Sequence, residues 1–179
     1  MGSNLDRYKA DLDKLIKLGS SMQIDVELRH RATKGKLSKE FQDLEKKVKG
    51  AFERDYQKWY SEAFAVIKQL APDRAAEFEH LYKGEGKRRH IDAVTYNIQD
   101  WMNGIRSGTN DYTRAKLYDN FAIVVMRFKT QSSILEAMEQ RFESSLFDIR
   151  QLYKPIFLTP SLNQPVNLLS IASYVAPAP

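Results

Sequence analysis

The sequence predicts an all-α protein: an elongated helical bundle with two long amphipathic helices and an extended, Pro-rich C-terminal arm. Apolar residues recur at steps of three and four through most of residues 4–152, which is the period of one helix face. No apolar/polar alternation longer than four residues occurs there, so the half-buried strand pattern is missing. At Tyr153 the composition changes abruptly. Beyond it lie five of the six prolines, no glycine and a single charge, Lys154. Two parts follow, a helical bundle over 1–152 and an extended apolar tail over 153–179.

The first helix starts at an Asn4 cap, and Leu5, Tyr8, Leu12, Leu15 and Met22 draw one stripe along it. Gly19-Ser20-Ser21 is expected to weaken it midway, and Arg29–Lys36, lacking a stripe, reads as a basic loop. The stripe returns as Phe41, Leu44, Val48, Phe52, Tyr56, Trp59, Ala63, Ile67 and Leu70. These positions predict one long helix with Ser38 as its cap and Gly50 as its weak point. Pro72 suits a first helical turn, and the short helix it opens carries Ala75, Phe78, Leu81 and Tyr82. Lys83–His90 is a second basic loop. Ile91, Val94, Ile98, Trp101 and Ile105 mark a fourth helix, ended by the glycines of Gly104–Asp111. The last helix is the longest. It runs from Thr113 to Leu152, roughly 60 Å, with Leu117, Phe121, Val124, Phe128, Leu135, Met138, Phe142, Leu146 and Ile149 on its stripe. The aromatic content of these stripes suits globular bundle packing better than a leucine zipper.

Composition narrows the function. With no cysteine, disulfides, thiol catalysis and thiolate metal sites are excluded. No apolar run is long enough to span a membrane, the N-terminus has no secretory signal, and position 6 is Asp where a myristoylation motif needs Ser or Thr. These features, with the lack of an Asn-x-Ser/Thr sequon, predict a cytoplasmic protein. No P-loop, G-x-G-x-x-G or G-x-S-x-G motif occurs, and none of the three histidines has a carboxylate at ligand spacing, so neither a cofactor nor a metal is expected.

Three constellations remain. Arg74 and His80 fit an R-x4-6-H pattern, in which arginine stabilises a phosphate and histidine moves a proton; ordinary surface charges on a helix are the plainer reading. The net charge is +5. Arg29, Arg31, Lys34 and Lys36, joined by Lys83, Lys87, Arg88 and Arg89, would form a nucleic-acid-binding patch if their two loops met, with Tyr82 nearby for stacking. Loops between helices are ordinarily charged, and the interleaved acids favour solvated faces. In the tail, Pro155, Pro160 and Pro165 prevent a continuous helix. It is also too apolar for an ordinary solvated tail. Pro155, Phe157, Leu158, Leu168, Leu169, Ile171 and Tyr174 are its candidate contact residues, reaching either a partner's groove or the chain's own bundle. A tail produced by truncation or frameshift is the third reading.

Four tracts, QKWYSEAFAVIKQLAPDRAAEFEHLY (57–82), TYNIQDWMNGI (95–105), FKTQSSILEA (128–137) and RFESSLFDIRQL (141–152), resemble a bacterial family of uncharacterised helical proteins over about residues 5–152. The resemblance implies the N-terminal half of such proteins. In that family a C-terminal helical domain follows with an R-N-x-x-x-H element similar to HEPN ribonucleases, in prokaryotic defence and mobile islands. This sequence departs from the pattern after Leu152, without that second domain or its Arg/His pair, so no catalytic residue carries over. The resulting expectation is a non-enzymatic interaction or oligomerisation subunit, its partner a protein or a second copy. The alternatives are a HEPN-like ribonuclease using Arg74 and His80, or a nucleic-acid-binding accessory subunit.

Overall fold

The computed structural model describes residues 4–152, with side chains placed from Asp6 to Ser145; the tail residues named above lie outside the described residues. Six helices follow in order: α1 (Asn4–Ala32), α2 (Lys39–Val48), α3 (Ala51–Leu70), α4 (Pro72–Lys83), α5 (Ile98–Met102) and α6 (Asn120–Leu152). Among the described residues the only β feature is an isolated bridge between Thr109 and Lys116. The protein is all-α, and its two longest helices, α1 and α6, extend about 43 and 50 Å.

Four boundaries differ from the sequence expectation, each for a local reason. α1 is not weakened at Gly19 and continues through Arg29 to Ala32. Arg29 is drawn into the fold by ion pairs with Asp25 and Glu53, and basic residues in a last turn complement the helix dipole. The expected helix over 37–70 is two helices. The chain turns at Gly50, whose φ of 75° is left-handed, and α3 restarts there. Ser38 does cap α2, accepting the Phe41 N–H, and Pro72 does open α4.

The fourth helix shrinks to Ile98–Met102 because competing turns consume its predicted start. Asp92 Oδ1 accepts the Val94 and Thr95 N–H groups at 2.9 Å, and Asn97 and Asp100 then form a reciprocal capping box. The last helix starts at Asn120, not Thr113. Asn110 Oδ1 ties down the Tyr112 and Thr113 N–H groups, and Asp119 Oδ1 accepts from Phe121 and Ala122 at 3.0 Å to begin α6.

Helices α1, α3, α4 and α6 form an up-down-up-down bundle. Asp25 of α1 meets Phe52 of α3, while Trp59 further along α3 reaches back to Leu15. Gln57 of α3 meets Tyr82 of α4, and Phe78 and Asp73 of α4 meet Gln131 and Arg141 of α6. Lys9 pairs with Glu143 to close the ring between α1 and α6. Helices α3 and α6 also touch, so α1 and α4 lie on opposite flanks of that pair. One end of the bundle gathers the C-termini of α1 and α4, the N-termini of α3 and α6, and α5.

The core is aromatic. Phe52, Tyr56, Trp59, Phe78 and Phe128 are all fully buried, with Phe128 edge-on to Phe52, Tyr56 and Trp59 at 5.0–5.8 Å. One polar chain crosses it. The Tyr56 hydroxyl donates to Gln131 Oε1 at 2.9 Å, and Gln131 Nε2 donates to the Phe78 carbonyl at 3.0 Å. Both side chains are thus satisfied where water cannot reach.

Candidate functional site

The loop end of the bundle holds most of the charged chemistry, and much of it is committed to structure. Asn97 joins α4 to α5 by donating to the Lys83 carbonyl at 2.8 Å. Gly84 sits there at φ 67°, and a Cβ on it would lie 2.5 Å from Asn97 Nδ2, so the junction requires glycine. Arg88 then closes the loop with a bidentate pair to Asp100 at 2.5 and 2.7 Å and a bond to the Thr95 carbonyl. Burial pushes the Asp100 carboxyl up, but the Arg88 guanidinium and the Asn97 N–H outweigh it and hold Asp100 below the usual carboxylate range.

A folded-state value below the unfolded one, about 3.9, means that this carboxylate stabilises the fold fully at neutral pH and loses that contribution as pH falls through the folded value. Asp100→Asn is therefore expected to cost about 2 kcal/mol at pH 7. Its melting-temperature deficit relative to the parent should narrow below about pH 4. A deficit that stays constant from pH 7 to pH 3 would contradict the pairing.

The eight basic residues singled out in the sequence differ in how far they are engaged within the fold. Their two loops share an end of the bundle but spring from α1 and α4, on opposite flanks of the α3–α6 pair. Arg29 is occupied by Glu53 at 2.7 and 2.8 Å, Arg88 by Asp100, and Lys83 by Glu79 at 2.7 Å. Arg31 lies over the Phe41 ring at 5.6 Å. Lys34, Lys36, Lys87 and Arg89 are exposed. On α4, Arg74 pairs with Glu77 at 2.7 Å and His80 is exposed. Among the described residues no group of three or more His, Asp or Glu side chains is placed to hold a metal. No helix among them is long and apolar enough to cross a membrane.

What the structure does assemble is a cavity of about 460 Å³ between the end of α1, the segment after α5 and the start of α6. Arg29, Thr33, Trp101, Arg106, Ser107, Lys116, Asp119, Asn120 and Phe121 line it. The Arg29 guanidinium is braced by Glu53 and lies 4.9 Å over the Phe121 ring. Arg106 is held by the Trp101 and Ile105 carbonyls at 3.0 and 2.8 Å, with its guanidinium carbon 3.8 Å above the Trp101 ring. Asn120, 5% exposed, fixes the floor by accepting the Ser107 N–H at 2.9 Å. His30 stands behind Phe121, and its buried Nε2 lies 3.7 Å from Asp119 without a hydrogen bond.

Of this group the sequence singles out only Arg29 as a site residue, and Trp101 and Phe121 stand in it as stripe residues. The exposed face of α2 is a second feature of the same end. Phe41, Leu44 and Val48 share one side of that helix, yet α2 buries none of its residues, and Phe41 and Leu44 are 40% and 36% exposed. No protein-family model matches the chain, and comparison with curated proteins and with solved structures finds no match.

Proposed function

We propose that the chain is a non-enzymatic helical interaction subunit that self-associates, the C-terminal arm of one copy lying on α2 of another. The observation that carries this reading is the apolar side of α2. An amphipathic helix packed against α1 and burying no side chain leaves Phe41 and Leu44 for another surface. The arm supplies a complementary sequence, with one charge in 27 residues and Phe157, Leu158, Leu168, Leu169, Ile171 and Tyr174 as anchors. It follows α6, which ends away from the loop end that carries α2. Fully extended, 27 residues reach at most about 90 Å, against about 50 Å for the length of α6. The arm is therefore long enough to span the bundle back to the end that carries α2. A role in a prokaryotic defence or mobile-element system belongs to the same proposal and rests on the sequence resemblance alone.

Light scattering on the full chain should give a mass above that of the 20.7 kDa monomer. Phe41→Glu/Leu44→Glu and deletion of 153–179 should each return the chain to a monomer while the helical circular dichroism persists. A parent chain that is already monomeric, or an assembly unmoved by both changes, would defeat the proposal. Retention of the assembly in the deletion alone would exclude the arm as the occupant of α2.

A further inference from the structure

We infer that the cavity at the loop end binds a nucleoside 5′-phosphate, either as a free nucleotide or as the phosphorylated end of a strand. Three cations line it against one carboxylate. Their neutralisation is uneven. Arg29 is paired with Glu53, whereas among the described residues Lys116 has no ion pair and Arg106 is held by two carbonyls beside the neutral Tyr96 and Trp101 side chains. Carbonyls orient a guanidinium without cancelling its charge, and Arg106 is immobilised at a fixed height over Trp101. Two uncompensated cations, one rigid and one flexible, suit a phosphate better than a carboxylate, because a phosphate presents more acceptor oxygens.

The remaining wall argues for more than a bare anion. Trp101 and Phe121 lie 5.0 Å apart, tilted by 33°, and both are only part-buried. A cavity of about 460 Å³ is far larger than a phosphate needs and falls within the range of small-ligand sites. Arg106 already lies over the Trp101 face and Arg29 over Phe121, so a planar base stacks on a guanidinium plane backed by its ring, with the phosphate on the remaining charge. The one carboxylate, Asp119, is turned towards the start of α6 and His30, its Oδ1 accepting the first N–H groups of α6 and its Oδ2 lying 3.7 Å from His30 Nε2. This inference is independent of the self-association proposed above.

Calorimetric titration of the full chain with AMP tests it, with adenosine and inorganic phosphate as partial probes. AMP should bind more tightly than either. Lys116→Met and Arg106→Gln should each weaken AMP by about tenfold, with Lys116→Arg restoring it. Neither change touches the core, and unchanged circular dichroism would verify the fold. A short oligoadenylate with a 5′-phosphate, compared with its 5′-hydroxyl form, separates the two sources. A phosphorylated strand binding more tightly than AMP assigns the site to strand ends, and the reverse assigns it to free nucleotide. No AMP or strand binding up to millimolar concentration, AMP binding no tighter than adenosine or inorganic phosphate, or affinity unmoved by both cation variants would overturn the assignment.

Discussion

Trp59→Ala is expected to destabilise the protein by about 4 kcal/mol, lowering its melting temperature by roughly 8–16 °C. Trp59 is fully buried where α1, α3, α4 and α6 converge, with Phe78 and Tyr56 rings at 6.0 Å and Phe128 edge-on at 5.1 Å. Its indole N–H donates to the Leu15 carbonyl of α1 at 3.0 Å, so the side chain supplies both packing and a hydrogen bond between helices. Gly19 is the other half of this contact. An added Cβ there would stand 2.9 Å from the indole nitrogen and 3.3 Å from two ring carbons. On an exposed helix, Gly→Ala stabilises by about 1 kcal/mol. Here the ring has nowhere to move, and Gly19→Ala should instead cost about 1–3 kcal/mol. In a Trp59→Phe background, where the crowding atoms are gone, Gly19→Ala should cost nothing or stabilise. Thermal unfolding of the four proteins reads the coupling directly. A Gly19→Ala chain more stable than the parent would show that α1 and α3 do not meet as described.

Gly19 also shows how far the sequence was readable. A glycine in a helical pattern signals weakness when only its propensity is visible, yet its function here is to admit a tryptophan 40 residues away. Features settled within a turn of the chain were legible: the Ser38 cap, the Pro72 start, and the faces of α3 and α6. Boundaries moved wherever a side chain ended a helix through turn bonds the stripe does not contain. Asp92, Asn110 and Asp119 did this for α5 and α6.

The engagement of the cations was illegible for a related reason. Whether Arg29 or Arg88 is available depends on Glu53 and Asp100, 24 and 12 residues distant, which the charge pattern alone does not pair. The cavity was illegible because its lining comes from the end of α1, the segment after α5 and the start of α6, and Arg106 and Lys116 stand among ordinary loop residues. Topology, not local pattern, brings these segments together.

Asp25→Ala should cost about 3 kcal/mol, because this one buried carboxylate fixes the break between α2 and α3. Gly50, the residue preceding α3, has no side chain to cap the helix. Asp25 of α1 performs that role from across the interface. Its Oδ1 accepts the Gly50 N–H at 3.2 Å, and its Oδ2 accepts the Phe52 N–H at 3.0 Å and faces Arg29 Nη1 at 3.4 Å. The carboxylate is fully buried at a helix N-terminus, where backbone donors and the helix dipole both favour negative charge. Removing it strands two backbone donors, one of them buried with Phe52, and leaves Arg29 with Glu53 alone. Asp25→Asn keeps one acceptor oxygen and should lose about half as much. Asp25→Ala should also speed hydrogen exchange at Phe52 and at the first turn of α3 more than at the far end of that helix. Chemical denaturation gives the totals, and residue-resolved exchange gives the location. A loss below about 1 kcal/mol, or exchange that rises evenly along α3, would mean that the turn at Gly50 is held without Asp25.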